Sequence, residues 1–195
     1  MSTSGVTVVE ERVVAGLTST VLQATSPEAL DAWLLEHGYR SSPELVSWMA
    51  PYVRDGWMLT AFRVDPGAAP RGRVSMGAIR MSFSVERPFF PYSEPQTAGR
   101  EPRPFRVSVV APFRMTASVG RAPWPVPVAY AQRSARLSSI LTGIVPAEAR
   151  TGPLWITTFD EPRSVRGTSD VTFDADTVTA RVASRISREI VSFRR

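Results

Sequence analysis

Apolar and polar residues alternate along this chain with a period that changes from segment to segment. Val6–Val14 is Val-rich around a polar break at Glu10-Glu11-Arg12, and Leu17–Ala24 follows across Ala15-Gly16. Both are predicted strands, because β-branched residues suit the pleated backbone and the Gly between them suits a turn. Two helices come next and open alike: Ser26-Pro27-Glu28 and Ser42-Pro43-Glu44 each supply a capping hydroxyl, a Pro at the first helical position and an acid in the first turn. Leu30, Trp33, Leu34 and His37 share one face of the first helix, and Gly38 stands where a left-handed C-terminal cap belongs. Leu45, Trp48, Met49, Tyr52 and Val53 make the stripe of the second, and Pro51 is expected to kink or break it. Asp55-Gly56 then turns the chain into a strand over Trp57–Val64.

Beyond this β-β-α-α-β opening the pattern is sparser. Asp65–Gly72 reads as a loop, and Ala78–Val85 alternates Ile79, Met81, Phe83 and Val85 with polar residues, which predicts a half-buried strand. Arg87–Pro104 holds five prolines in eighteen residues and is expected to be irregular. Phe105–Val110, Arg114–Val119, Leu154–Phe159 and Asp170–Phe173 are predicted strands, and Pro123–Pro127 a polyproline-like piece or an edge strand. Ser134–Leu141 reads as a helix, and Val178–Phe193 as a strand running into a helix. The expected class is α+β: mostly antiparallel sheet, with the helices at Pro27–His37 and Pro43–Val53 covering one face. The chain is one domain over 1–195, or two packed lobes of about 1–86 and 105–195 joined at 87–104.

Composition narrows the chemistry. Apolar residues make up 43% and charged residues 21% of 195 residues, an ordinary globular balance. The absence of cysteine removes disulfides, thiolate metal sites and cysteine nucleophiles. The net charge of +5 invites a nucleic-acid reading, but all 23 basic residues are Arg, with no Lys and no Asn, which is the mark of a GC-rich genome. The arginines are also dispersed among 18 carboxylates rather than clustered, so nucleic-acid binding is disfavoured. No segment has the roughly 18 consecutive apolar residues of a membrane span. Met1–Gly5 has neither the basic nor the apolar region of a signal peptide, so an exported parent protein would be longer than this chain.

Candidate sites are few. The single histidine, His37, lies in the last turn of a helix, where it favours the helix dipole, and no neighbour in sequence can orient it for a catalytic triad. Asp170, Asp174 and Asp176 are the one carboxylate cluster with metal-like spacing, although they lack the Gly and distal Glu of a calcium loop and also suit a turn. Asp160-Glu161 before Pro162 reads as a solvated turn. No Gly-rich phosphate loop is present, so no cofactor is expected. Arg181, Arg185 and Arg188, with Arg194-Arg195, could line a basic helix face. Phe89, Phe90, Tyr92 and Trp124 lie in Pro-rich loops and are candidate partner-contact aromatics, with burial beneath the loop as the alternative.

Val21–Leu30, Trp33-Leu34, His37-Gly38-Tyr39, Pro51-Tyr52-Val53 and Gly56-Trp57 together resemble the bacterial family called domain of unknown function 2330. Ile79–Phe83 followed by Phe90-Pro91, Leu154–Phe159 and Asp170–Phe173 follow in the family's order, so the resemblance runs from about Val8 to Phe173. It implies an envelope-associated protein, since members carry a signal peptide and many a membrane anchor, neither of which is in this chain. It supplies no catalytic residues. The resulting expectation is a non-catalytic binding or structural module of the cell envelope with a protein partner. The alternatives are a carboxylate-based, carbohydrate-active enzyme and an Arg-driven binder of nucleic acid or anionic lipid.

Overall fold

The computed structural model describes residues 5–14, 17–64, 79, 81–95, 101–142, 147, 152–164 and 166–177. Contacts divide the chain into two units, Met1–Ser82 with Pro95–Gly99, and Phe83–Glu94 with Arg100–Arg195.

In the first unit β1 (Val6–Val14), β2 (Leu17–Ala24) and β3 (Leu59–Val64) form an antiparallel sheet in that order. Between β2 and β3 the chain makes α1 (Pro27–Glu36) and α2 (Pro43–Arg54). Ser26 Oγ accepts from the Ala29 N–H at 3.1 Å, and Ser42 Oγ from the Leu45 N–H at 3.2 Å, so each hydroxyl satisfies an amide that the first turn leaves unpaired. The two helices also end alike. Gly38 N–H reaches Leu35 O while Tyr39 N–H reaches Leu34 O; Gly56 N–H reaches Val53 O while Trp57 N–H reaches Tyr52 O. This paired closure needs a left-handed residue after the cap, and Gly38 and Gly56 supply it at φ 79° and 76°.

α2 runs through Pro51 to Arg54, so of the kink or break expected there the break does not occur. Pro51 lies in the last turn, so its missing N–H costs a single ladder bond, and the bonds from Asp55, Gly56 and Trp57 close the helix beyond it. Val6, Leu22, Leu30, Trp33, Leu34, Met49 and Val53 form the core of this unit. Each such side chain contributes about 1.5–3 kcal/mol through its removal from water, and this packing rather than helix propensity holds two short helices on the sheet.

The second unit contains β4 (Phe89–Phe90), β5 (Arg103–Ala111), β6 (Met115–Val119), β7 (Ala122–Pro123), β8 (Val128–Ser134), α3 (Leu137–Ile140), β9 (Leu154–Ser164) and β10 (Val171–Ala175). They form two antiparallel sheets, ordered β4-β10-β6-β7 and β5-β9-β8. Met115, Ala117, Val171 and Phe173 from one sheet and Phe105 and Phe159 from the other belong to one buried cluster, the arrangement of a β-sandwich. The Met115 N–H donates to the buried Thr157 Oγ1 at 3.1 Å, a bond from one layer to the other. The chain is α+β with mostly antiparallel sheets, as its pattern predicts.

Several local expectations change. Ile79 and Met81–Val85 form no ladder, and Ile79, Met81, Phe83 and Val85 are all exposed: alternation made the segment amphipathic, but no strand pairs with it among the described residues. The Pro-rich segment is not wholly irregular, since Phe89 and Phe90 pair with Thr172 and Val171 and β5 begins at Arg103. β8 had no counterpart in the predicted strands. Asp160-Glu161 is not a solvated turn but lies inside β9, where a register shift opposite Arg103 and Phe105 accommodates Pro162, which cannot donate to the ladder. The predicted strand-to-helix segment Val178–Phe193, the arginines within and after it, and the Asp65–Gly72 loop lie outside the described residues.

Candidate functional site

The three aspartates read as a weak metal cluster are each engaged elsewhere. Asp174, in β10, takes a two-bonded fork from Arg87, with Nε at 2.9 Å from Oδ1 and Nη2 on Oδ2. Those bonds hold the Arg87 guanidinium above its ordinary pKa. Asp176 lies 3.8 Å from Arg114, and its backbone N–H donates to Arg114 O. Asp170 Oδ1 accepts from the Ser93 N–H at 3.0 Å. No group of three metal-capable side chains converges among the described residues.

The four candidate aromatics separate by burial. Tyr92 and Trp124 are 6% and 7% exposed, so they are core residues and not surface anchors. Phe89 and Phe90 are half-buried: Phe90 packs on the same core, and Phe89 lies with its ring centre 6.1 Å from that of the exposed Phe83. Trp124 meets Tyr92 and Phe105 edge-on at 5.3 and 5.7 Å, and Phe159 at 5.5 Å. Tyr92 and Trp124 are buried because they belong to the same core cluster as Phe105, Phe159, Val171 and Phe173, which draws on both sheets.

Beside these rings lies a charged cluster that the linear sequence did not announce. The Arg166 guanidinium sits over Phe105 at 5.0 Å and Tyr92 at 5.9 Å, and its Nη1 is 2.9 Å from Glu94 Oε1. Glu94 also receives Arg103. Arg106 likewise reaches Asp160 across the β5–β9 ladder, with Nε at 2.9 Å from Oδ2. Arg106 and Asp160 lie far apart in sequence and meet as register partners of β5 and β9, whereas Glu94 and Arg166, also distant, meet outside the strands, so neither contact leaves a local signal. Chemically, each pair or triad joins two chain segments.

His37 stacks on Trp33 at 3.9 Å, and its Nδ1 lies 2.8 Å from Trp33 O, which completes the end of α1. A depression of about 370 Å³ in the first unit is lined by Asp31, Leu35, Ser41, Ser42, Pro43 and Val46. Its polar groups are already engaged: Ser41 Oγ donates to Asp31 and Ser42 Oγ caps α2. At that helix start the Glu44 carboxyl lies below its usual range, held there by its own backbone N–H and by Ser42.

A family model described as uncharacterized protein conserved in bacteria (DUF2330) matches residues 1–179. The chain belongs to this family. The DUF2330 match takes in every described element, so the resemblance carried by Val21–Trp57 extends over both units. No curated protein and no solved structure matches the chain.

Proposed function

We propose that this DUF2330 chain is a non-catalytic binding or structural module of the bacterial cell envelope, acting through a protein partner. The observation that carries the reading is the use made of its carboxylates. Glu94, Asp160, Asp170, Asp174 and Asp176 are each a tie between chain segments, to Arg103 and Arg166, Arg106, the Ser93 amide, Arg87 and Arg114. Glycoside hydrolysis by two acids would need a pair of carboxyl groups free to face each other about 5–10 Å apart across a cleft. An Arg–carboxylate pair instead occupies the carboxylate oxygens and favours the ionised form, which suits a tie rather than an acid that must give up a proton. Placement at the envelope of a high-GC bacterium rests on the family resemblance and on the Arg-only basic composition. Among the described residues no helix is long and apolar enough to cross a membrane.

The test is affinity capture with the purified chain from envelope and soluble fractions of a high-GC bacterium, washed at low and at high salt. The partner is identified by mass spectrometry, and binding is then repeated with that partner purified. A saturable protein partner that survives high salt supports the module. Retention of nucleic acid alone, lost at high salt, replaces it with the Arg-driven reading.

A further inference from the structure

Among the described residues the three sheets have six edge strands, and their treatment is unequal. A sheet edge presents unpaired amides and carbonyls, and natural proteins blunt it with charges, bulges, prolines or short length. β1 carries the charged run Glu10-Glu11-Arg12 beside a register shift. β4 and β7 are two residues long, and β7 ends in Pro123. β5 enters through Pro104 between Arg103 and Arg106, and β3 is half-buried over Leu59–Phe62.

β8 differs. Its seven residues are exposed at five positions, on both faces, and contain no acid and no proline. A register shift confines irregularity to its start, and Tyr130–Ser134 then runs in even antiparallel register with Leu154–Thr158. Among the described residues no strand pairs with its outer side. Charge indicates the occupant. No Asp or Glu occurs between Glu101 and Glu148, and Arg133 and Arg136, in β8 and just after it, are exposed and make no ion pair among the described residues. A second copy would bring the same arginines and the same net charge of +5.

We infer that β8 is a docking edge for an extended, acidic segment of a partner protein, which adds to the sheet as a strand beside β8 with its carboxylates toward Arg133 and Arg136. The inference rests on the binding-module reading and names the chemistry of its partner. Backbone pairing supplies the affinity and the arginines supply the selectivity.

The probe is a short fluorescein-labelled peptide alternating Glu and Val, titrated against the full chain by fluorescence anisotropy. Two control peptides accompany it: one with Lys for Glu, and one with alternate backbone nitrogens methylated, which keeps the charge but removes the ladder donors. Saturable binding of the acidic peptide is expected, weakened on the order of tenfold or more by either control and by the Arg133→Glu variant. Arg133 is exposed, so the variant folds, and circular dichroism checks that it does. Equal binding of the methylated and unmethylated peptides reduces the effect to bulk charge and overturns the inference. So does an absence of binding, or sedimentation showing a dimer that Arg133→Glu abolishes and the peptide cannot displace. Capture of a protein partner by Arg133→Glu with full yield, alongside peptide failure, would discard this edge while leaving the module reading in place.

Discussion

Replacing Trp124 by Ala is expected to unfold much of the second unit's stability rather than to delete a contact with a partner. The ring is 7% exposed and lies within 5.3–5.7 Å of Tyr92, Phe105 and Phe159. Buried Trp or Phe truncated to Ala costs about 3–5 kcal/mol, from lost transfer energy plus the cavity left behind. Each of the two edge-on pairs, with Tyr92 and Phe105, adds roughly 0.5–1.5 kcal/mol beyond area, although pairs sharing one ring do not add independently. The total is therefore set near the upper end, about 4–5 kcal/mol, against a domain stability of about 5–15 kcal/mol. For a unit of roughly a hundred residues this lowers the melting temperature by at least about 15 °C. Differential scanning calorimetry reads the second unit's transition, and hydrogen exchange confirms that the loss falls on β5, β6, β9 and β10. A variant that melts within a few degrees of the parent but no longer retains a partner would refute the reasoning, because Trp124 would then be a surface anchor.

Three further expectations follow from the first unit and are read by unfolding with its own tryptophans as reporters. Gly5→Ala places a Cβ 2.8 Å from Thr25 Oγ1 and 2.9 Å from the Ala29 Cβ at φ 96°, so it is expected to destabilise the unit by about 1–3 kcal/mol; an unchanged urea midpoint would show that the junction yields freely. Ser26→Ala and Ser42→Ala are expected to cost about 1 kcal/mol each, and a loss confined to one of them would contradict the matching caps. Because Glu44 has a folded pKa below its unfolded value, its contribution is present above the ordinary carboxylate range and is lost as pH falls through the lower folded value. Glu44→Gln should therefore flatten the acid limb of stability against pH and leave a small deficit at neutral pH; an unchanged acid limb would contradict this.

The first unit was legible in the sequence because its signals are local. Ser-Pro-Glu caps, Gly after the last helical residue, and stripes such as Leu30, Trp33 and Leu34 each need only a few neighbours to be read. Pro51 does not break α2 because a proline in a last turn costs a single ladder bond. The second unit was less legible because its organisation is long-range. β8 is exposed at most positions on both of its faces, so no alternation marked it, and Ile79–Val85 displayed alternation although no strand pairs with it among the described residues. The aromatic residues in the Pro-rich stretches were visible as a group, but the burial of Tyr92 and Trp124 depends on a cluster drawn from distant strands. Asp160 with Arg106 became a pattern only through register, which two-residue periodicity does not specify between distant strands, and Glu94 with Arg166 only through a contact between distant loops.

The central claim, that these carboxylates tie the chain together and do no chemistry, is tested most directly by removing them singly. Asp160→Asn, Asp170→Ala and Asp174→Asn would be compared with the parent for thermal midpoint and for retention of the captured partner, with glycan hydrolysis assayed in parallel. The account predicts a modestly lowered midpoint for each variant, with partner retention unchanged and no hydrolysis by parent or variant. Glycan hydrolysis by the parent, abolished in a variant whose midpoint is unchanged, would contradict it.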